Sequence, residues 1–177
     1  AYAEMEDGGG FATAVTPELA AFIGERDSFY LATASADGQP YVQHRGGPKG
    51  FLRVLGATTL AFADFRGNRQ YLTTGNLADN PKAFIFLMDY AERRRIKIWG
   101  QARVVRDDPA LIDALMPAGR RAKPEQAIVF EVTAWSTNCP QHIPVKIDAA
   151  DVAPVIEQLQ TQIAALQAEN AALKQGA

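Results

Sequence analysis

Residues 29–45 read FYLATASADGQPYVQHR, and the fold follows from how that stretch divides. Phe29 to Ala34 and Tyr41 to Arg45 carry the two-residue period of strands, with Ala36-Asp37-Gly38 as the turn between them. The stretch is therefore a β-hairpin. Two more short runs, Phe51 to Leu55 and Leu60 to Phe65, follow across Gly and Thr breaks, and four strands in such close succession predict a meander.

Working outward, residues 1–15 read as a loose leader. Thr16-Pro17-Glu18 then supplies a cap, a proline at the first helical position and an early acid, predicting a helix that carries Leu19, Phe22 and Ile23. Downstream, a helical turn follows Thr73-Thr74-Gly75-Asn76 and is broken by Asn80-Pro81. Ala83 to Met88 reads as a buried strand. Arg95 to Val105 reads as a long one, with Ile96 and Ile98 on one face and Arg95, Lys97 and Trp99 on the other. Asp107-Asp108-Pro109 caps a helix through Met116, and Gln126 to Trp135 is the last strand. The expected class is mainly β: an antiparallel barrel, closed or split, with small helices, because closure is how such sheets avoid exposed edges. A parallel doubly wound sheet does not fit.

The C-terminal segment has a different period. Ile156, Ile163 and Asn170 recur every seven residues, with Leu159, Leu166 and Leu173 between them, an a/d heptad. Asn170 at an a position favours a parallel pair in fixed register, and Glu169 at g can reach Lys174 at e of a second helix. The other reading is an amphipathic helix folded back on its own barrel. The expected organisation is a leader over 1–15, a barrel domain over 16–147 and a heptad helix over 148–177.

Composition narrows the function. In 177 residues, 18 Lys and Arg face 20 Asp and Glu, a net charge of −2 that gives no broad attraction for nucleic acid or anionic lipid. One cysteine and two histidines exclude an internal disulfide and make a metal site improbable. The N-terminal stretch is neither a secretion signal nor a transit peptide, and no apolar run reaches the roughly 18 residues of a spanning helix, so the expected location is the cytoplasm. Arg93-Arg94-Arg95 and Lys97 are the one rival basic feature, a possible nucleic-acid face, but strand alternation divides them between two surfaces.

Between residues 43 and 70, Arg45, Lys49, Arg53, Arg66 and Arg69 meet one acid, Asp64, with Gly46-Gly47-Pro48 and Gly50 interleaved. Glycines admit backbone amides to an anion, and guanidinium groups donate charge-assisted hydrogen bonds, so this stretch suits a phosphate. The spacing is neither a Walker loop nor a Rossmann fingerprint.

The order of residues here resembles a known family. Tyr41 to Phe51 (YVQHRGGPKGF), Phe62 to Tyr71 (FADFRGNRQY), Thr74 to Leu77 (TGNL), Arg94 to Gly100 (RRIKIWG) and Asn138 to Ile143 (NCPQHI) together look like the pyridoxamine 5'-phosphate oxidase-related flavoproteins, over roughly residues 16–147. The resemblance implies an FMN-binding split barrel that works as a homodimer with flavin at the subunit interface. It implies that His44, Arg45 and Lys49 lie along the flavin, that Arg53 approaches its phosphate, and that Asp64 and Phe65 sit at the ring or ribityl edge. Asn68, Arg69 and Gln70 occupy the block where pyridoxamine phosphate oxidases carry Ser-Arg-Lys for the FMN phosphate, and Gln70 in place of Lys removes one charge. Arg95 is expected to turn toward the cofactor side.

Trp99 and Trp135 fit either core filling or packing near the ring. Asn138 to His142 resembles the family's closing block, near the opposing subunit's flavin. There Cys139 is either a redox thiol or inert, and His142 either donates a proton to substrate or holds a loop. No nucleophile, base and orienter triad is visible. The resemblance implies an oxidoreductase acting on a small substrate or reduced nicotinamide. A flavin-binding sensor or carrier without turnover is the alternative, and FMN against deazaflavin stays open. Oxidation of pyridoxamine phosphate itself fits poorly, because the closing block lacks basic residues for the substrate's phosphate.

Overall fold

The structure is a computed structural model describing residues 10–67, 69–117, 124–137 and 140–175. Helix α1 (Pro17–Gly24) starts where the cap predicts, with Thr16 Oγ1 accepting from the Leu19 amide at 3.2 Å. Seven strands follow: β1 (Ser28–Ala34), β2 (Pro40–Gly46), β3 (Arg53–Val54), β4 (Thr59–Phe65), β5 (Lys82–Asp89), β6 (Arg94–Val105) and β7 (Pro124–Thr137). Helix α2 (Leu72–Asp79) precedes β5, α3 (Pro109–Ala114) precedes β7, and α4 (Ala149–Gln175) ends the chain. All pairings are antiparallel, in the order β2-β1-β5-β6-β7-β4-β3.

The hairpin forms as expected, with Phe29 opposite Arg45 and Ala34 opposite Pro40. The meander does not form. β2 and β3 lie at opposite edges of the sheet. Gly47 and Gly50 donate their amides to Asp27 and Arg26 carbonyls at 2.8 and 3.0 Å. Phe51 and Leu52 then turn inward and are buried, Phe51 stacking on Phe29 at 5.4 Å. Burying these side chains favours a plug across the barrel end over an exposed strand. Gly47 and Gly50 make the plug possible: an added Cβ on Gly47 would lie 2.6 Å from the Phe51 ring, and Gly50 has φ +73° and sits against the Gly24 carbonyl.

The core lies inside the curled sheet, where Leu31, Ile85, Leu87, Ile98, Ile128 and Phe130 meet Leu19 and Ile23 of α1. β5 alternates rather than being buried throughout: Ala83, Ile85 and Leu87 face in, while Phe84 and Phe86 are half-buried outside. β4 is buried on both faces, Leu60 and Phe62 toward the core and the small Ala61 and Ala63 under Leu111, Ile112 and Leu115 of the α3 region. Residues 11–15 lie on the sheet rather than loose: Ala12 pairs with Trp135, Trp135 Nε1 donates to the Ala14 carbonyl at 2.7 Å, and Phe11 packs on Trp99. α2 begins at Leu72, taking Thr73 and Thr74 into its first turn, and α4 buries none of its residues. No helix among the described residues is long and apolar enough to cross a membrane.

Candidate functional site

β3 pairs only with Leu60 and Ala61 of β4, so the far half of β4 has no strand on that side. β2 comes across this split, and the Arg45 guanidinium pairs there with the Asp64 carboxylate, both side chains largely buried. Arg45 also lies over the Phe62 ring at 5.7 Å. Asp64 passes the contact on: its Oδ2 accepts from Gln126 Nε2 at 2.8 Å, and the same Nε2 donates to Thr74 Oγ1 at 3.0 Å. From β2, Gln43 Oε1 accepts from Thr73 Oγ1 at 3.0 Å, and Asn76 Nδ2 of α2 donates to Thr33 of β1 at 3.0 Å. The start of α2 is thus held from three strands.

That start is open. Tyr71 occupies the N-cap in the left-handed region (φ 52°) and offers no side-chain cap, so among the described residues no side chain caps the first turn of α2, whose Leu72, Thr73 and Thr74 line the cleft. Arg69, two residues earlier, is also left-handed at φ 60°. The cleft, of about 60 Å³, is lined by Tyr41, Gln43, Arg45, Arg69, Gln70 and Thr73 together with Asp64, Phe65 and Glu125. Helix amides that no side chain among the described residues caps, the Arg69 guanidinium and hydroxyls in one recess are donors of the kind an anion needs. Glu125 is engaged by the Tyr71 hydroxyl, which donates to it at 2.7 Å, and this hydrogen bond raises the phenol above its ordinary value.

The structure brings Arg45, Asp64, Phe65, Arg69 and Gln70 together around this cleft. His44 does not line this cleft; it packs edge-on against Tyr30 at 5.6 Å and borders a neighbouring recess with Arg45, Asp64 and Phe65. Lys49 and Arg53 line a separate recess beside α1, Lys49 lying 3.5 Å from Glu25. Arg95 is half-buried near the start of β6, Trp135 is covered by residues 12–14, and His142 is exposed at φ 64° beside Pro140, whose carbonyl accepts from Arg93 at 3.2 Å. Ser136, in this region, is separated from Gln126 by ten residues of β7, on the order of 30 Å of strand. Asn68 and Cys139 lie outside the described residues. Sequence reasoning missed Gln126, Gln43, Thr73 and Tyr71. For Gln126 the available signal was one amide opening an otherwise apolar run.

The basic run Arg93–Lys97 is dispersed, as alternation predicts: Arg94 lies over Phe22, Lys97 over Trp99, and Arg93 on the Pro140 carbonyl. Among the described residues no His, Cys, Asp and Glu cluster suits a metal.

Fold and cleft together define a split-barrel protein with a polar cleft at its seam. The family model for pyridoxamine 5'-phosphate oxidase matches residues 15–139, and the chain belongs to that family. Solved structures repeat the fold. HupZ of Group A Streptococcus is 20% identical over 75% of this chain and 99% of its own, with a TM-score of 0.58. An FMN-binding protein from Syntrophomonas wolfei is 15% identical over 69% and 87%, with a TM-score of 0.52. A Clostridium acetobutylicum protein related to general stress protein 26 is 12% identical over 76% and 94%, at 0.51. No protein of curated function matches the chain.

Proposed function

We propose that this protein is an FMN-binding homodimer and an oxidoreductase, with the phosphate of FMN held at the start of α2. The observation that carries the reading is the open N-terminus of α2 with Arg69 beside it. The orphaned atoms of the cleft fit the same ligand. Arg45 Nε, on the cleft wall, is buried and has no partner among the described residues, and Gln126 Oε1, in the adjoining recess with Thr74 and Glu125, is likewise an orphaned acceptor, so a donor and an acceptor are left for a phosphate and a hydroxylated chain. The Syntrophomonas relative, which is FMN-binding, has the same fold.

A phosphate dianion needs about two cationic partners. Arg69 supplies one charge. Asp64 partly neutralises Arg45, and the helix amides supply the rest. When bound, FMN supplies two-electron redox chemistry; the chain's own residues bind, orient and exclude water. Gln126 and Gln43 fix the Thr74 and Thr73 hydroxyls, while Phe65 gives the cleft an apolar wall.

A second copy is favoured by the outer face of the sheet. In register across four strands run His44, Tyr30, Phe86 and Lys97, and beside them Val42, Ala32, Phe84 and Trp99. Tyr30 is 40% and Val42 58% exposed, an apolar band of the kind that interfaces cover. His44 borders both this band and a recess shared with Arg45, Asp64 and Phe65, whereas Arg95 at the start of β6 and His142 beyond the end of β7 line neither recess, so pairing of two chains is what would bring those two to a flavin.

The test is the absorbance spectrum of freshly purified protein followed by titration with FMN, read by quenching of flavin fluorescence. Binding in the micromolar range or tighter, followed by flavin reduction on mixing with NADH or NADPH, supports the oxidoreductase. Binding without reduction by any donor leaves the sensor or carrier. Colourless protein that quenches no FMN overturns the proposal.

A further inference from the structure

The C-terminal helix offers an interaction surface independent of the cleft. α4 runs for 27 residues, about 40 Å, and none of it is buried. Folding back on its own barrel, the second reading of the heptad, is not what the chain does. Ile156, Leu159, Ile163, Leu166 and Leu173 are 48–66% exposed in one continuous a/d stripe, extended N-terminally by Val152 at d.

We infer that α4 pairs in parallel with α4 of a second copy of this chain as a two-stranded coiled coil. Three features choose this occupant. The β-branched Ile156 and Ile163 at a, with leucine at every d from 159 to 173, is the arrangement that favours two parallel strands. Asn170 at a is matched by the same asparagine only when an identical helix lies in the same register; an unrelated apolar partner would bury that amide against hydrocarbon. In that register g positions meet e positions five residues on, which sets Glu169 against Lys174 and Gln162 against Gln167. A lipid surface is disfavoured, because α4 carries Asp151, Glu157 and Glu169 against Lys174 alone.

The experiment is oxidative cross-linking of full-length Leu173→Cys, with the wild-type chain and its single Cys139 as control. In the parallel register the two introduced thiols are neighbours at d. In an antiparallel pair centred on the stripe, position 173 would face residues near 156, about 25 Å away. A disulfide-linked dimer that forms at least about tenfold faster than in wild type is expected, and adding Ile163→Asp should slow it by a similar factor. Cross-linking no faster than wild type overturns the pairing. So does a rate that Ile163→Asp leaves unchanged, since proximity would then come from the barrels. The cross-link needs no flavin: its failure counts against the helix pair alone, and failure to bind FMN counts against the cleft alone.

Discussion

Arg45 and Asp64 join β2 to β4 across the gap between the two edges of the sheet, where no strand pairing among the described residues does so. Both are largely buried, so truncating one leaves the other as an uncompensated charge. Arg45→Ala is expected to cost about 3 kcal/mol in urea unfolding of the flavin-free protein, with Asp64→Ala similar. The double variant should cost clearly less than the sum, by about 1–3 kcal/mol. Additive losses would mean that the pair does not close the seam.

How far this seam was legible follows from its residues. The hairpin, the Thr16 cap and the alternating β6 were readable because each depends on neighbours along the chain. The Phe51–Leu55 run is only half a strand: Arg53 and Val54 pair with β4 as β3, whereas Phe51 and Leu52 are buried, and two buried apolar residues beside glycines look the same in a strand and in a plug. Arg69 and Asp64, which the structure places on one cleft, stand out in the sequence through charge and family pattern. Gln126 does not, because its hydrogen-bond partners Thr74 and Asp64 are 52 and 62 residues away.

Gly100 sets the register of the barrel's longest pairing. The β6–β7 ladder slips between Trp99 and Gly100, and an added Cβ at Gly100 would lie 2.1 Å from the Glu131 carbonyl oxygen and 2.4 Å from the Phe130 ring. Neither neighbour is a flexible side-chain end. Gly100→Ala should therefore lose about 3 kcal/mol or more, measured by urea denaturation. Near-wild-type stability would show that the slip can move elsewhere along the strand.

Tyr71 offers a pH test. Its hydrogen bond to Glu125, with a smaller contribution from desolvation and the Glu125 charge, raises the phenol, while Arg69 and Arg106 pull it down. The folded state thus holds the proton more tightly than the unfolded chain. This contribution to stability is present below the ordinary tyrosine value and is lost as pH rises through the folded one. In alkaline difference spectra between wild type and Tyr71→Phe, Tyr71 should ionise later than an ordinary tyrosine, and Glu125→Ala should bring it earlier. An unchanged titration in Glu125→Ala would remove the hydrogen bond as the cause.

Arg69 separates stability from binding. At φ 60° it occupies a conformation that costs a residue with a Cβ about 1 kcal/mol and glycine almost nothing. Its side chain is exposed, so little packing is lost on removing it. Arg69→Gly is therefore expected to stabilise the flavin-free protein by about 1 kcal/mol, seen as a higher urea midpoint. The same change removes the Arg69 guanidinium from the cleft and should weaken FMN by about tenfold or more in fluorescence titration. Arg69→Ala, which keeps the strain and loses the charge, should weaken FMN equally without the gain in stability. If Arg69→Gly bound FMN as tightly as wild type, the phosphate would have to be gripped elsewhere, and the recess of Lys49 and Arg53 would be the next place to mutate.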